Sequence, residues 1–103
     1  MPSFADRLCS AILERDAPCA VGIDPVLEYI PDAFVRACDL RADGELEERA
    51  GIIEAYSLLT LEAVHDLVPA VKPQIAYFEL FGSHGMRALE RVIETARELG
   101  LLV

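Results

Sequence analysis

The run Ala70-Val-Lys-Pro-Gln-Ile-Ala-Tyr-Phe-Glu79 decides how the rest of the chain is read. It is apolar and strand-like except for Lys72, the only lysine among the 103 residues. An ammonium in apolar surroundings costs free energy unless water, a ligand or an opposite charge answers it. A lysine at a strand end can extend its charge to water along its apolar stem. It can equally serve where a strand opens into an active-site cavity. Asp24 tips the balance toward that second role. It closes the only other clear strand signal, Cys19-Ala-Val-Gly-Ile23, and Pro25 keeps it extended.

Outward from these two strands the pattern is helical. Ser3 and Asp6 form an S-x-x-D capping box, and Phe4, Leu8, Ala11 and Ile12 follow at helical spacing as far as Arg15. Pro31 and Asp32 start a short helix through about Cys38, and Ala42-Asp43-Gly44 forms a turn. A long helix is expected from about Glu45 to Leu67, ended by Pro69, with Ile52, Tyr56, Leu59, Ala63 and Leu67 on its buried face. The acids Glu45, Glu47 and Glu48 crowd its first turns, where the helix dipole favours negative charge.

The second strand is expected over 70–76, a loop over Tyr77 to Gly82, then a helix capped by Ser83 and terminated at Gly100. Leu101-Leu-Val103 reads as the opening of a third buried strand. Near-continuously apolar strands alternating with helices predict a parallel sheet with right-handed crossovers. That means an open α/β sheet or part of a (β/α) barrel, in which Asp24 and Lys72 share the carboxyl-end rim where such folds place their chemistry.

The net charge of −9, from 18 acidic and 9 basic residues, argues against general binding of nucleic acid or an anionic membrane. No apolar run has membrane-spanning length and no signal peptide is evident, so a cytoplasmic location is expected. Cys9, Cys19 and Cys38 form no C-x-x-C pair and are expected to be small, reduced core residues. Glu62-Ala-Val-His65 has the E-x-x-H spacing of carboxylate-bridged metal helices, but a single copy is too few for such a site and no metal is expected. Gly82-Ser-His84-Gly85 is read as a turn with an ordinary cap rather than an anion cradle, and Glu79 as either a rim residue or a solvated acid. Dinucleotide, Walker, nucleophile-elbow and zincin motifs are absent.

Three segments taken together, Cys19-Ala-Val-Gly-Ile-Asp-Pro25, Ala70-Val-Lys-Pro-Gln-Ile-Ala-Tyr-Phe-Glu-Leu-Phe-Gly82 and Ala96-Arg-Glu-Leu-Gly-Leu-Leu-Val103, resemble the first part of the orotidine 5'-phosphate decarboxylases. The likeness is to the bacterial subgroup with a V-K-P-Q-x-A-x-F-E signature, and it runs in order across the chain. The resemblance implies an α/β fold, the amino-terminal part of a (β/α)8 TIM barrel with about two strands plus the start of a third. It also implies a homodimeric parent that converts orotidine 5'-phosphate to uridine 5'-phosphate and carbon dioxide without metal or organic cofactor. By the same resemblance Asp24 binds the substrate ribose, and Lys72 belongs to a catalytic network of alternating lysines and aspartates.

The family's D-x-K-x-x-D motif, which carries the proton-donating lysine, does not occur in residues 1–103. The chain is therefore expected to be a partial barrel domain, cut before its third strand is complete and inactive alone. Two rival readings are a small non-catalytic interaction module completed by a partner or a second copy, and another phosphosugar-handling barrel.

Overall fold

A computed structural model describes residues 1–103, in which helices alternate with a short parallel sheet. Helix α1 spans Phe4–Arg15, strand β1 Ala20–Ile23, a 3₁₀ turn Leu27–Tyr29, α2 Asp32–Ala37 and α3 Leu46–Val64. Strand β2 spans Ala70–Pro73, α4 Ile75–Glu79 and α5 Gly82–Glu98. The strands β1 and β2 pair in parallel with Ala20 opposite Ala70, Val21 opposite Val71, Gly22 opposite Lys72 and Ile23 opposite Pro73. On the far side of β2, Leu102 bridges Ala70 in parallel, with Val71 N–H donating to Leu102 O at 2.9 Å and Leu102 N–H to Pro69 O at 3.0 Å. The third strand expected at Leu101–Val103 thus enters the sheet as a single bridge.

Alternation along the strands sends Val21, Ile23, Val71 and Pro73 to one face and Ala20, Gly22, Asp24, Ala70 and Lys72 to the other. The first face meets α3 and α5, whose Ile52, Ile53, Leu61, Val92 and Ala96 are fully buried with Ile23 and Val71 in the main core. Apolar area removed from water at this layer contact is the principal stabilising term. On the second face, Phe4, Leu8 and Ile12 of α1 share an apolar groove of about 350 Å³ with Ala20, Ala70 and Lys72.

Local signals act at the helix ends as expected in two places. The Ser3 hydroxyl accepts from Asp6 N–H at 3.1 Å and the Asp6 carboxylate accepts from Ser3 N–H at 3.1 Å, completing the capping box. At the end of α5, Gly100 takes φ +83°, its N–H donates to Arg97 O at 3.0 Å, and Leu101 N–H reaches Ala96 O at 2.9 Å. This is a Schellman closure, with buried Leu101 packed behind it.

The Ser3 hydrogen bonds hold the Asp6 carboxyl below its ordinary range. A carboxyl whose pKa is depressed in the folded state contributes stability above its unfolded pKa, and that contribution is lost as pH falls through the folded pKa. Thermal melts from pH 6 downward should therefore show a small acid-side loss that Asp6→Asn removes. An unchanged acid limb in Asp6→Asn would refute the role of this box.

Four expectations are corrected. The strand expected over 70–76 stops at Pro73, and a helix over Ile75–Glu79 replaces its end and the start of the loop expected from Tyr77, because Gln74 caps the turn by accepting from Ala76 N–H and helical winding carries Phe78 into the core. Helix α3 ends at Val64, since Leu67 and Val68 both turn back onto Val64 O before Pro69 is reached. Its buried face is Ala50, Ile52, Ile53, Ser57 and Leu61; Tyr56 is half-buried, whereas Leu59, Ala63 and Leu67 are exposed. Ser83 caps nothing: α5 begins at Gly82 after Phe81, without a side-chain cap.

The cysteines also depart from expectation. Cys9 and Cys19 are exposed and Cys38 is half-buried, with desolvation pushing the Cys38 thiol pKa up. All three are free thiols, and none belongs to the core.

Arg15 ties the helical layer together. Its Nε donates to His65 O at 3.1 Å and a terminal guanidinium nitrogen donates to Gly100 O at 3.3 Å, so one side chain clamps the chain just after α3 and just after α5. Cations at helix carboxyl ends also meet the negative end of the dipole. Arg15→Ala should lower stability by about 1–2 kcal/mol in urea titration, and Arg15→Lys should restore only part of it because a lysine offers no planar fork.

Candidate functional site

The rim formed by the carboxyl ends of β1 and β2 has a simple cause. A parallel pair joined through α3 places both strand ends, and the chain leaving them, on one side of the sheet. Lys72 lies directly opposite Gly22, and Asp24 stands two residues beyond Gly22 on the same sheet face. Standard strand spacing puts their Cα atoms roughly 8 Å apart. Both residues are exposed.

They do not touch. The ion pairs of the chain are Arg15 with Glu14, Arg41 with Asp43 and Arg91 with Glu54, and neither Asp24 nor Lys72 belongs to one. A carboxylate and an ammonium held apart on one open face, each with its full hydrogen-bonding capacity, present complementary charges to a molecule lying between them.

Gly22 is the part of this arrangement that sequence reasoning missed. A Cβ built at Gly22 would stand 3.0 Å from Asp24 Oδ1, so the carboxylate folds back over the glycine into space that a side chain would fill. The available signal was a glycine inside a buried apolar strand, which marks close approach by another group. On the α3 side, Tyr56, Ser57 and Thr60 line a cavity of about 110 Å³ with Gly22, Asp24 and Pro25. Ser57 and Thr60 use their hydroxyls on the helix carbonyls of Ile53 and Tyr56, at 2.7 and 3.0 Å.

The other singled-out residues lie elsewhere or stand alone. Glu79 is exposed at the end of α4 and joins no ion pair. His84 is half-buried in a cleft of about 490 Å³ between the amino-terminal parts of α3 and α5, among Glu47, Glu48, Arg87 and Arg91. Glu62 is exposed, and His65 contributes its carbonyl to Arg15. Nowhere do three or more histidine, cysteine, aspartate or glutamate side chains gather in a way that could hold a metal ion. No helix is long and apolar enough to cross a membrane.

Fold and rim together define an α/β chain built on a parallel sheet, with an oppositely charged pair at the strand carboxyl ends, the position at which such sheets bind ligands. No protein-family model matches the sequence. Curated relatives do, over the whole chain: orotidine 5'-phosphate decarboxylases of Nocardioides sp. at 40% identity, Streptomyces coelicolor at 38% and Caldicellulosiruptor saccharolyticus at 32%. The chain spans about a third of the length of each, from 33% to 34%.

A crystal structure of a candidate orotidine 5'-phosphate decarboxylase from Streptomyces avermitilis superimposes with a TM-score of 0.74 at 34% identity. It matches all of this chain and 32% of its own. In both sequence and fold the chain is similar to about a third of the length of these decarboxylases, as its strand segments imply.

Proposed function

We propose that the chain is the amino-terminal portion of a (β/α)8 barrel orotidine 5'-phosphate decarboxylase, a cytoplasmic enzyme of pyrimidine biosynthesis that works as a homodimer. In this reading Asp24 binds the substrate ribose and Lys72 is catalytic. The observation that carries it is the placement of these two residues on one open face at the carboxyl ends of adjacent parallel strands, within a sequence 32–40% identical to decarboxylases of that name.

The chemistry asks for this arrangement. Departure of carbon dioxide leaves an electron pair on a pyrimidine ring carbon, and a preorganised cation lowers the energy of that developing charge more than mobile water does. Lys72 supplies a cation fixed by the β2 backbone, opposite a residue with no side chain to crowd it. Asp24 accepts hydrogen bonds from sugar hydroxyls, positioning the base over the lysine. The lysine that completes proton delivery in this scheme belongs to the D-x-K-x-x-D segment, so the 103-residue chain alone turns nothing over.

The test replaces the matched third of the Streptomyces coelicolor enzyme with residues 1–103 and follows loss of orotidine 5'-phosphate by absorbance. The chimera should be active. Lys72→Ala should lower kcat/KM by about 10²-fold or more, the scale of removing one preorganised electrostatic partner. Asp24→Asn should act mainly on KM, and Gly22→Ala should reproduce part of that loss by displacing the carboxylate. Full activity in the Lys72→Ala chimera would end the catalytic assignment.

A further inference from the structure

The cleft of about 490 Å³ between the amino-terminal parts of α3 and α5 has no part in the rim chemistry. Both helices pack on the first sheet face, so it lies across the sheet from Asp24 and Lys72. Its two walls carry opposite charges. His84, Arg87 and Arg91 recur at helical spacing and share one face of α5. Opposite them, Glu45, Glu47 and Glu48 line the α3 side.

The ion pair between Arg91 Nε and Glu54 ties the two helices together. Beyond that tie, Ala50 and Gly51 on α3 and Ala88 on α5 have no long side chain with which to fill the gap. Leu40 lies across Gly51, where an added Cβ would stand 2.8 Å from Leu40 Cδ1, so the middle of the cleft is apolar.

The acidic wall is held in place by the backbone. Glu48 is half-buried, and its Oε2 accepts from Arg41 N–H at 2.9 Å. Gly44 makes room for that carboxylate, since a Cβ there would stand 2.7 Å from Glu48 Oε1. Across the gap the charges do not meet: His84, Arg87, Glu47 and Glu48 belong to none of the ion pairs of the chain. Arg91 uses only its Nε on Glu54, leaving the terminal nitrogens of its fork as donors.

A simple anion in this cleft meets the glutamates as well as the arginines, and a simple cation meets the reverse. Opposite walls held beyond ion-pair reach, with apolar surface between them, match a molecule that carries both charges at its own two ends. We propose that the cleft binds a small aliphatic zwitterion. Its carboxylate or phosphomonoester end lies against Arg87 and Arg91, its ammonium against Glu47 and Glu48, and its short carbon chain over Leu40, Ala50 and Ala88. Such a ligand bridges α3 and α5 only when the two are packed, so it stabilises the fold. The proposal does not depend on the decarboxylase reading, and an inactive chimera leaves it standing.

The experiment titrates the 103-residue chain with 5-aminopentanoate and with O-phosphoethanolamine, following the imidazole resonances of His84 and His65 by NMR. Pentanoate, inorganic phosphate and ethanolamine are the singly functional controls. At least one zwitterion should shift His84 saturably below about 10 mM while His65, outside the cleft, stays unmoved, and each control should bind about tenfold more weakly or worse. Arg87→Gln and Glu47→Gln should each weaken zwitterion binding by about tenfold or more. Both side chains are exposed, so the circular-dichroism spectrum of the free chain should not change. The bound zwitterion should also raise the melting temperature, an effect that either substitution removes.

Three results overturn the site. One is no saturable His84 shift with either zwitterion over that range. Another is a control that binds as well as the zwitterion, which would make the cleft a patch for ions of one sign. The third is affinity indifferent to Arg87→Gln or to Glu47→Gln.

Discussion

Replacing Gly85 by alanine is expected to destabilise the chain by about 3 kcal/mol or more, at or beyond the upper end of ordinary overpacking costs. A Cβ at Gly85 would fall 1.8 Å from Phe78 O and 3.1 Å from Phe81 Cβ. The first of these is a backbone atom in a short helix that has no rotamer with which to yield. The substitution therefore has to push α5 away from α4 or break the turn between them.

Gly82→Ala is the control. Its φ of +61° makes any side chain strained, yet nothing lies within 4 Å of the added methyl, so the loss should be only about 1–2 kcal/mol. Urea midpoints of the two variants decide the matter. A Gly85→Ala loss no larger than that of Gly82→Ala would mean that α4 and α5 do not meet as described.

Truncating Phe78 to alanine should cost about 3–5 kcal/mol, the range for emptying a fully buried aromatic site. Phe78 is 0% exposed and belongs to the same core as Ile23, Leu61 and Val92. Domains of this size have total stabilities of about 5–15 kcal/mol, so the variant should melt far below the parent. The double variant Phe78→Ala with Gly85→Ala should show no rescue, because the collision at Gly85 is with the Phe78 carbonyl rather than its ring. Rescue would place the ring, not the backbone, against Gly85.

Phe78 also shows where reading the chain without its fold fell short. Tyr77-Phe78-Glu79 begins four positions after a proline and precedes a glycine three positions on, a composition that reads locally as loop. Helix α4 forms there because its winding buries Phe78 between α5 and the sheet, a gain that no window of ten residues contains. The face of α3 failed for a related reason. This helix is apolar around much of its circumference, so periodicity offers two stripes of comparable strength. Packing chose Ile53, Ser57 and Leu61, leaving Leu59 and Ala63 exposed.

Residues close together in the chain determined much by themselves. Ser3 with Asp6 set the start of α1, Pro25 ended the first strand segment after Asp24, and Gly100 closed α5 with Leu101 behind it. Asp24 and Lys72 were legible as site candidates because a charge ending or interrupting an apolar strand is conspicuous in sequence. These signals act through a few covalent neighbours and survive without the rest of the fold.

Only the tertiary structure decided that Gly22 lies opposite Lys72, that the Asp24 carboxylate folds over Gly22, and that the two charges share a face without forming an ion pair. Strand register joins residues some fifty positions apart. It is selected by which faces of β1 and β2 bury Ile23 and Val71 against α3 and α5, and that selection exists only once all four elements are in contact.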